Sequence, residues 1–211
     1  MIERRECEML VMTITGGLGA GKSVAARFFQ ERGAIVFDLD EIARGLLRPG
    51  TEAFAKVVDE FGDAIVGTDG QIDRGRLAAV AFATPEAAAR LNAAVHPQLY
   101  REVVPGLLDL RLLPSQPPLV VLEVPLLVEA PVFAEAADAV LAIAAPEQLR
   151  IDRAVAAGMP EADARARMAC QATDDERARL ADRVIVNDAT LERFEAELAR
   201  FWDEVVAPGV A

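Results

Sequence analysis

Apolar residues concentrate along this chain in five short runs, at 9–14, 34–37, 119–122, 139–143 and 183–186. Runs of this length, rich in β-branched residues and closed by turn residues, read as buried strands. Between them the apolar positions recur at helical spacing. One helix covers 22–32 and stops at Gly33, another begins near Glu41, and an amphipathic one spans 191–206. Strands that alternate with helices predict a parallel sheet covered on both faces, a three-layer α/β/α fold with five strands.

Residues 44–113 break that alternation. They contain no convincing buried strand. Pro49-Gly50 and Thr68-Asp69-Gly70 mark turns. Asp73 can cap a helix that runs to Phe82, and Thr84-Pro85-Glu86 opens another with proline at its first position. His96-Pro97 starts or redirects the next, which reaches Leu112. This block is too long for a simple crossover connection. It reads as an inserted helical domain with room for a second substrate. Residues 146–172 form a second helical feature, two helices broken at Gly158-Met159-Pro160 and carrying Arg150, Arg153, Arg165 and Arg167. A basic hairpin of this kind suits a closing lid. The nucleotide-binding core is then 9–43, 114–145 and 173–211.

The chemistry sits between the first strand and the first helix. Gly16-Gly17-Leu18-Gly19-Ala20-Gly21-Lys22-Ser23 fits the phosphate-loop spacing G-x-x-x-x-G-K-[ST]. Glycines let backbone N–H groups approach an anion, and the following helix points its positive end at the phosphates. Lys22 supplies a mobile cation and the Ser23 hydroxyl a Mg²⁺ ligand. The glycines do not fall as G-x-G-x-x-G, which disfavours a dinucleotide loop. The second strand ends in Asp38-Leu39-Asp40. Ligands of open parallel sheets lie beyond the carboxyl ends of the strands, so this acidic pair belongs at the same edge. Asp38 can also serve as a helix N-cap; Asp40 suits a metal contact or a general base. Glu123 closes the third strand, where many P-loop proteins carry aspartate.

Composition narrows the partners. The 211 residues carry a formal net charge of −12, which argues against broad binding to nucleic acid or anionic membranes. Only Lys22 and Lys56 are lysines, so no guanine-reading Asn/Thr-Lys-x-Asp motif exists and a GTP switch is disfavoured. Cys7 and Cys170 form neither a metal spacing nor a disulfide framework, which fits free thiols in a reducing cytoplasm. No apolar run approaches the roughly 18 residues of a membrane span. Residues 1–8 are charged, unlike a signal peptide, and read as a frayed extension with Met9 or Met12 as alternative starts. His96, the lone histidine, is more often structural than catalytic in such a setting.

Several motifs together resemble the dephospho-CoA kinases. They are Thr15-Gly16-Gly17 leading the phosphate loop, Asp38-x-Asp40-x-x-Ala43-Arg44, Asp73-Arg74 with Leu77 and Phe82, and Leu91-Asn92-x-x-x-His96-Pro97. Pro125-Leu126-Leu127-x-Glu129, Gln171-Ala172 and Ala181-Asp182-x-Val184-Ile185-x-Asn187 complete the set, in order over about 11–190. The resemblance implies transfer of phosphate from ATP, with Mg²⁺, to the ribose 3′-hydroxyl of dephospho-CoA. In its terms Asp40 is the base, Thr15 lies near the acceptor, and Lys22 acts on the transferring phosphate. Gly17, Leu18, Gly19, Ala20, Gly21, Lys22, Ser23 and Val24 hold ATP, and Asn187 borders its adenine. Arg44, Arg74, His96, Pro125 and Leu126 help form the dephospho-CoA site. The lid departs from the family pattern, because Ala156 stands about where a second arginine is expected. Arg153 can serve after a one-residue shift, or else Arg150 or a residue of the second lid helix. Another kinase of the same fold is the competing reading; a catalytically dead CoA-binding module is disfavoured by Lys22, Ser23 and Asp40. The chain is expected to act as a monomer or weak homo-oligomer.

Overall fold

The structure, a computed structural model, describes residues 9–124, 127–128 and 132–207. Five strands form one sheet: β1 (Leu10–Thr15), β2 (Ile35–Asp38), β3 (Leu119–Glu123), β4 (Ala139–Ala144) and β5 (Arg183–Val186). All six residues of β1 are buried. A strand buried on both faces belongs at the centre of a covered sheet. The order is β2-β3-β1-β4-β5, and every neighbouring pair is parallel. The run at 34–37, by contrast, becomes an edge strand, with Ile35 exposed and the rest of β2 half-buried. Its apolar composition alone does not separate a central strand from an edge.

The α-helices are α1 (Lys22–Gln30), α2 (Leu39–Leu46), α3 (Glu52–Phe61), α4 (Arg74–Ala81), α5 (Pro85–Arg111), α6 (Val132–Glu135), α7 (Glu147–Ala156), α8 (Glu161–Ala169), α9 (Asp174–Leu180) and α10 (Leu191–Phe201). They fall into two compact units. One holds the sheet and comprises the chain up to Asp38 and again from Leu108; the other is Leu39–Leu107. The 146–172 hairpin, α7 and α8, clusters with the sheet.

In the sheet unit, α1 buries Ala25, Ala26, Phe28 and Phe29, and α10 buries Phe194, Leu198 and Phe201. Phe29 sits between them. Its ring meets Phe28 and Phe201 edge-on at 5.5 and 6.0 Å and stacks on Trp202 at 6.2 Å. The helix expected over 191–206 gives way after Phe201 to a π-helical turn, Trp202–Val206. The wider turn repeats at five residues, so Phe201 and Val206 can both face the core. Aspartates pin the strand starts. Asp138, just before β4, accepts from the Val11 N–H at 2.8 Å while its own N–H donates to Val11 O. Asp182, just before β5, does the same with Val140.

In the helical unit Val57, Ile65, Leu77, Ala81 and Val95 form a separate core. Asp73 caps α4 by accepting from the Arg76 N–H at 3.0 Å. The break expected at His96-Pro97 does not occur. One 27-residue helix, α5, passes through both Pro97 and Pro105. Each interior proline removes a backbone hydrogen bond. The buried positions Val95, Leu99, Val103 and Leu107 recur every four residues through both prolines, and burying that stripe outweighs the lost bonds.

His96 is half-buried, and desolvation lowers its pKa from 6.5, so it is neutral at pH 7. A folded pKa below the unfolded one contributes stability above the unfolded value and loses it as pH falls. The Glu52 carboxyl, held down to about 2 chiefly by the Arg101 hydrogen bond and then by Lys56, titrates well below that range. The melting temperature is therefore expected to fall from pH 7.5 to 5.5, and His96→Gln to flatten that fall; parallel pH profiles for the two proteins would contradict it. Phe29→Ala is expected to cost about 3–5 kcal/mol in a denaturant titration, as a cavity among three aromatic neighbours.

Candidate active site

The loop from Gly16 to Gly21 hangs from the C-terminal end of β1. Gly19 and Gly21 take left-handed backbone angles, with φ of 72° and 109°. Lys22 opens α1, and its Nζ donates to Gly16 O at 2.8 Å and Gly17 O at 3.4 Å. Gly21 occupies the N-cap with no side-chain cap, and the first turn of α1 carries no acidic residue. A helix start without a built-in anion is an anion site. Val24 spends its N–H on Gly21 O at 3.1 Å and packs its side chain on the sheet core.

The outer side of the loop is covered by polar side chains. Arg150 donates from Nε to Leu18 O at 3.0 Å, Arg153 from Nη1 to Gly19 O at 3.3 Å, and Asn187 from Nδ2 to Ala20 O at 2.8 Å. Arg153 also donates to Asn187 Oδ1 at 3.0 Å, and Gln171 Oε1 accepts from the Leu18 N–H at 3.0 Å. A Cβ added at Gly17 or Gly19 would overlap Arg150, and one at Gly21 would overlap the Asn187 amide. Arg150 is only 7% exposed. Among its partners, Asp174 Oδ1 accepts from Arg150 at 3.3 Å and from the buried Arg177 at 3.1 Å. Charge buried at this level is tolerated only when paired. Arg165 instead faces Glu161 at 2.7 Å on the surface, and Arg167 is exposed.

Helix α9, which carries Asp174 and Arg177, is absent from the sequence expectation although its start was readable. Thr173 and Glu176 form a reciprocal capping box. The burial of Arg150 had a weaker signal, its place beside Ile151 and Ala154 on the inward face of α7.

Ser23 and Glu123 meet at the ends of α1 and β3. The Ser23 hydroxyl donates to Glu123 Oε1 at 2.8 Å, and Glu123 is 8% exposed. With its proton so directed, Ser23 keeps its lone pairs for a cation. Both groups are hard oxygen donors, as Mg²⁺ prefers. Among the described residues no three His, Cys, Asp or Glu side chains cluster as a metal cage. That fits an ion held by one or two protein groups plus phosphate. Thr15 is fully buried, and its Oγ1 has no hydrogen-bond partner among the described residues.

Asp38 closes β2 opposite Glu123 of β3. Asp40 lies in the first turn of α2, not at a strand end, and is exposed. Arg44 donates from Nε to Asp40 O at 2.9 Å, one turn on. Arg74 is exposed at the first position of α4, and His96 lies inside α5. Asp40, Arg44, Arg74 and His96 belong to the Leu39–Leu107 unit, and Asp38, the loop residues and Asn187 to the sheet unit. Pro125 and Leu126 of the expected substrate site, and Glu129 of the same motif, lie outside the described residues.

Known proteins resemble this chain. A relative in Thermobifida fusca named dephospho-CoA kinase is 40% identical over 93% of this chain and 96% of its own. A crystal structure from Thermus thermophilus superposes with a TM-score of 0.73 at 32% identity, covering 94% of this chain and 98% of that one. The structure titled dephospho-CoA kinase from Campylobacter jejuni gives 0.65 at 22% identity, over 93% and 97%, which speaks for the fold. Among the described residues no helix is long and apolar enough to cross a membrane. The family model for dephospho-CoA kinase matches residues 10–193, and with the relatives it shows that this chain belongs to the dephospho-CoA kinase family.

Proposed function

We propose that this chain transfers the γ-phosphate of ATP to the ribose 3′-hydroxyl of dephospho-CoA, giving coenzyme A and ADP. The observation that carries this reading is the match to the kinase family over residues 10–193, which contains the glycine loop and the Ser23–Glu123 pair. Phosphoryl transfer needs positioning, charge neutralisation and a proton acceptor. The backbone from Gly17 to Val24 and the Lys22 ammonium are assigned to the triphosphate. Ser23 would hold Mg²⁺, with Glu123 orienting its hydroxyl; the ion neutralises phosphate charge when bound.

Asp40 takes the proton of the 3′-hydroxyl as its oxygen bonds to the γ-phosphorus and the bond to the β-phosphate oxygen breaks. Its place at the open start of α2 leaves its carboxylate reachable. Thr15, Arg44, Arg74, His96, Pro125 and Leu126 are assigned to the acceptor side, the arginines for phosphate groups and His96 as a neutral hydrogen-bonding ring. The Leu39–Leu107 unit is read as the CoA-binding domain and the α7–α8 hairpin as the lid. Arg153, which already reaches Gly19 O, is the lid arginine assigned to the transferring phosphate, and Asn187 the residue at the adenine border. We assign the reaction to the cytoplasm and to a monomer or weak homo-oligomer, with neither nucleic acid nor membrane as partner. The net charge of −12 supports leaving out nucleic acid and anionic membranes.

Purified chain with ATP, Mg²⁺ and dephospho-CoA is expected to yield CoA and ADP on chromatography. No CoA, with phosphorylation of a different small acceptor, would overturn the assignment in favour of another kinase of this fold. Asp40→Asn is expected to lower kcat about 100-fold or more with ATP binding nearly unchanged; wild-type turnover would rule out Asp40 as base. Lys22→Ala should weaken both binding and transfer. Glu123→Gln keeps an acceptor for Ser23 but removes the charge, so half-saturating Mg²⁺ should rise about 10- to 100-fold. An unchanged Mg²⁺ requirement would remove Glu123 from the metal site.

A further inference from the structure

The polar cover on the outer side of the loop has a consequence for its inner side. In a trans peptide the C=O and the next residue's N–H point in opposite directions. Among the described residues there are no cis bonds. Arg150 holds Leu18 C=O, which belongs to the same peptide as the Gly19 N–H. Asn187 holds Ala20 C=O, which belongs to the same peptide as the Gly21 N–H. Each outward carbonyl therefore turns one amide inward. Gly19 and Gly21 also take left-handed backbone angles, which let loop N–H groups converge on one anion.

We propose that Arg150 and Asn187 are positioning residues that aim the Gly19 and Gly21 amides at the β-phosphate of the nucleotide. Both are anchored for the task. Arg150 is buried and shares Asp174 with Arg177, and Asn187 is 6% exposed and bonded on its other side by Arg153. A Cβ at Gly17 would overlap the Arg150 guanidinium, one at Gly19 the Arg150 backbone, and one at Gly21 the Asn187 amide. Glycine is needed there for the approach of α7 and Asn187 as well as for that of phosphate. Arg150 thus acts through the loop backbone, and Asn187 has a task separate from bordering adenine. The proposal rests on the nucleotide half of the reading above, and not on the identity of the acceptor.

Amide spectra of the full ¹⁵N-labelled chain during ADP titration test it. In the unmodified protein, ADP should move the Gly19 and Gly21 amide protons downfield. Arg150→Lys keeps a charge for Asp174 but loses the Nε donor; it should shrink the Gly19 response and spare Gly21. Asn187→Asp sets an acceptor against Ala20 O and should do the reverse. Each variant should raise the Kd of ADP about tenfold or more, as expected for a weakened bond to a charged group. For the Arg150 variants the Kd of AMP, which lacks the β-phosphate, should stay within about twofold on the same scale. If Arg150→Lys does not fold, Arg150→Gln supplies a neutral donor for the same comparison, and Asn187→Asp decides its own half.

Equal loss of ADP and AMP affinity in the Arg150 variants would overturn the proposal for Arg150, and an unaltered Gly21 response in Asn187→Asp would return Asn187 to the adenosine side alone. An unaltered Gly19 response in the Arg150 variants would overturn it for that residue. A chain that binds ADP but makes no CoA would refute the acceptor assignment and leave every one of these readouts decisive.

Discussion

A backbone that offers its N–H groups to an anion must place its C=O groups somewhere else. That constraint governs the sheet unit. Four consecutive loop carbonyls, from Gly17 to Ala20, are met by Lys22, Arg150, Arg153 and Asn187. Those residues come from α1, from α7 and from the end of β5, so three separate elements must converge on one short turn. The strand that carries the turn lies at the sheet's centre, between β3 and β4, and is buried on both faces. A loop fixed at its root and along its back keeps its shape without the anion, which lowers the ordering cost of binding.

Much of this was legible before any coordinates. The phosphate loop, five strands, the helical insertion and the hairpin over 146–172 follow from spacing and periodicity. The failures have physical causes. The prolines of α5 look like breakers because local rules price a lost hydrogen bond but not a buried stripe through Val95, Leu99, Val103 and Leu107. Arg150 looks like a solvated or lid arginine because its burial depends on Asp174, 24 residues later, and on the Leu18 carbonyl, 132 residues earlier. Asp40 looks like a strand-end residue because Asp38 and Leu39 carry no sign of where strand yields to helix. Glu123 stood out as an atypical strand end, but its bond to Ser23 spans 100 residues and needed the fold.

The two units differ in how they hold together. The sheet unit has a core of large apolar side chains around Phe29 and Phe201, together with the buried charges of Arg150 and Arg177. The helical unit relies on a smaller core and on surface pairs such as Arg101–Glu52 and Arg90–Glu60. Exposed pairs of this kind contribute little and weaken with salt.

Asp138 and Asp182 carry a last implication, for how this chain tolerates change in length. Each binds its neighbouring strand through both a carboxylate and a backbone N–H, so each acts as a zero mark for the strand that follows. An extra residue upstream of either mark only lengthens a loop. An extra residue just downstream shifts the strand by one position and turns its inward side chains outward. For β5 that would expel Ile185, the one buried residue of the strand, and displace Asn187 from the back of the phosphate loop. Insertions and deletions in this region should therefore accumulate before Asp182 and stop there.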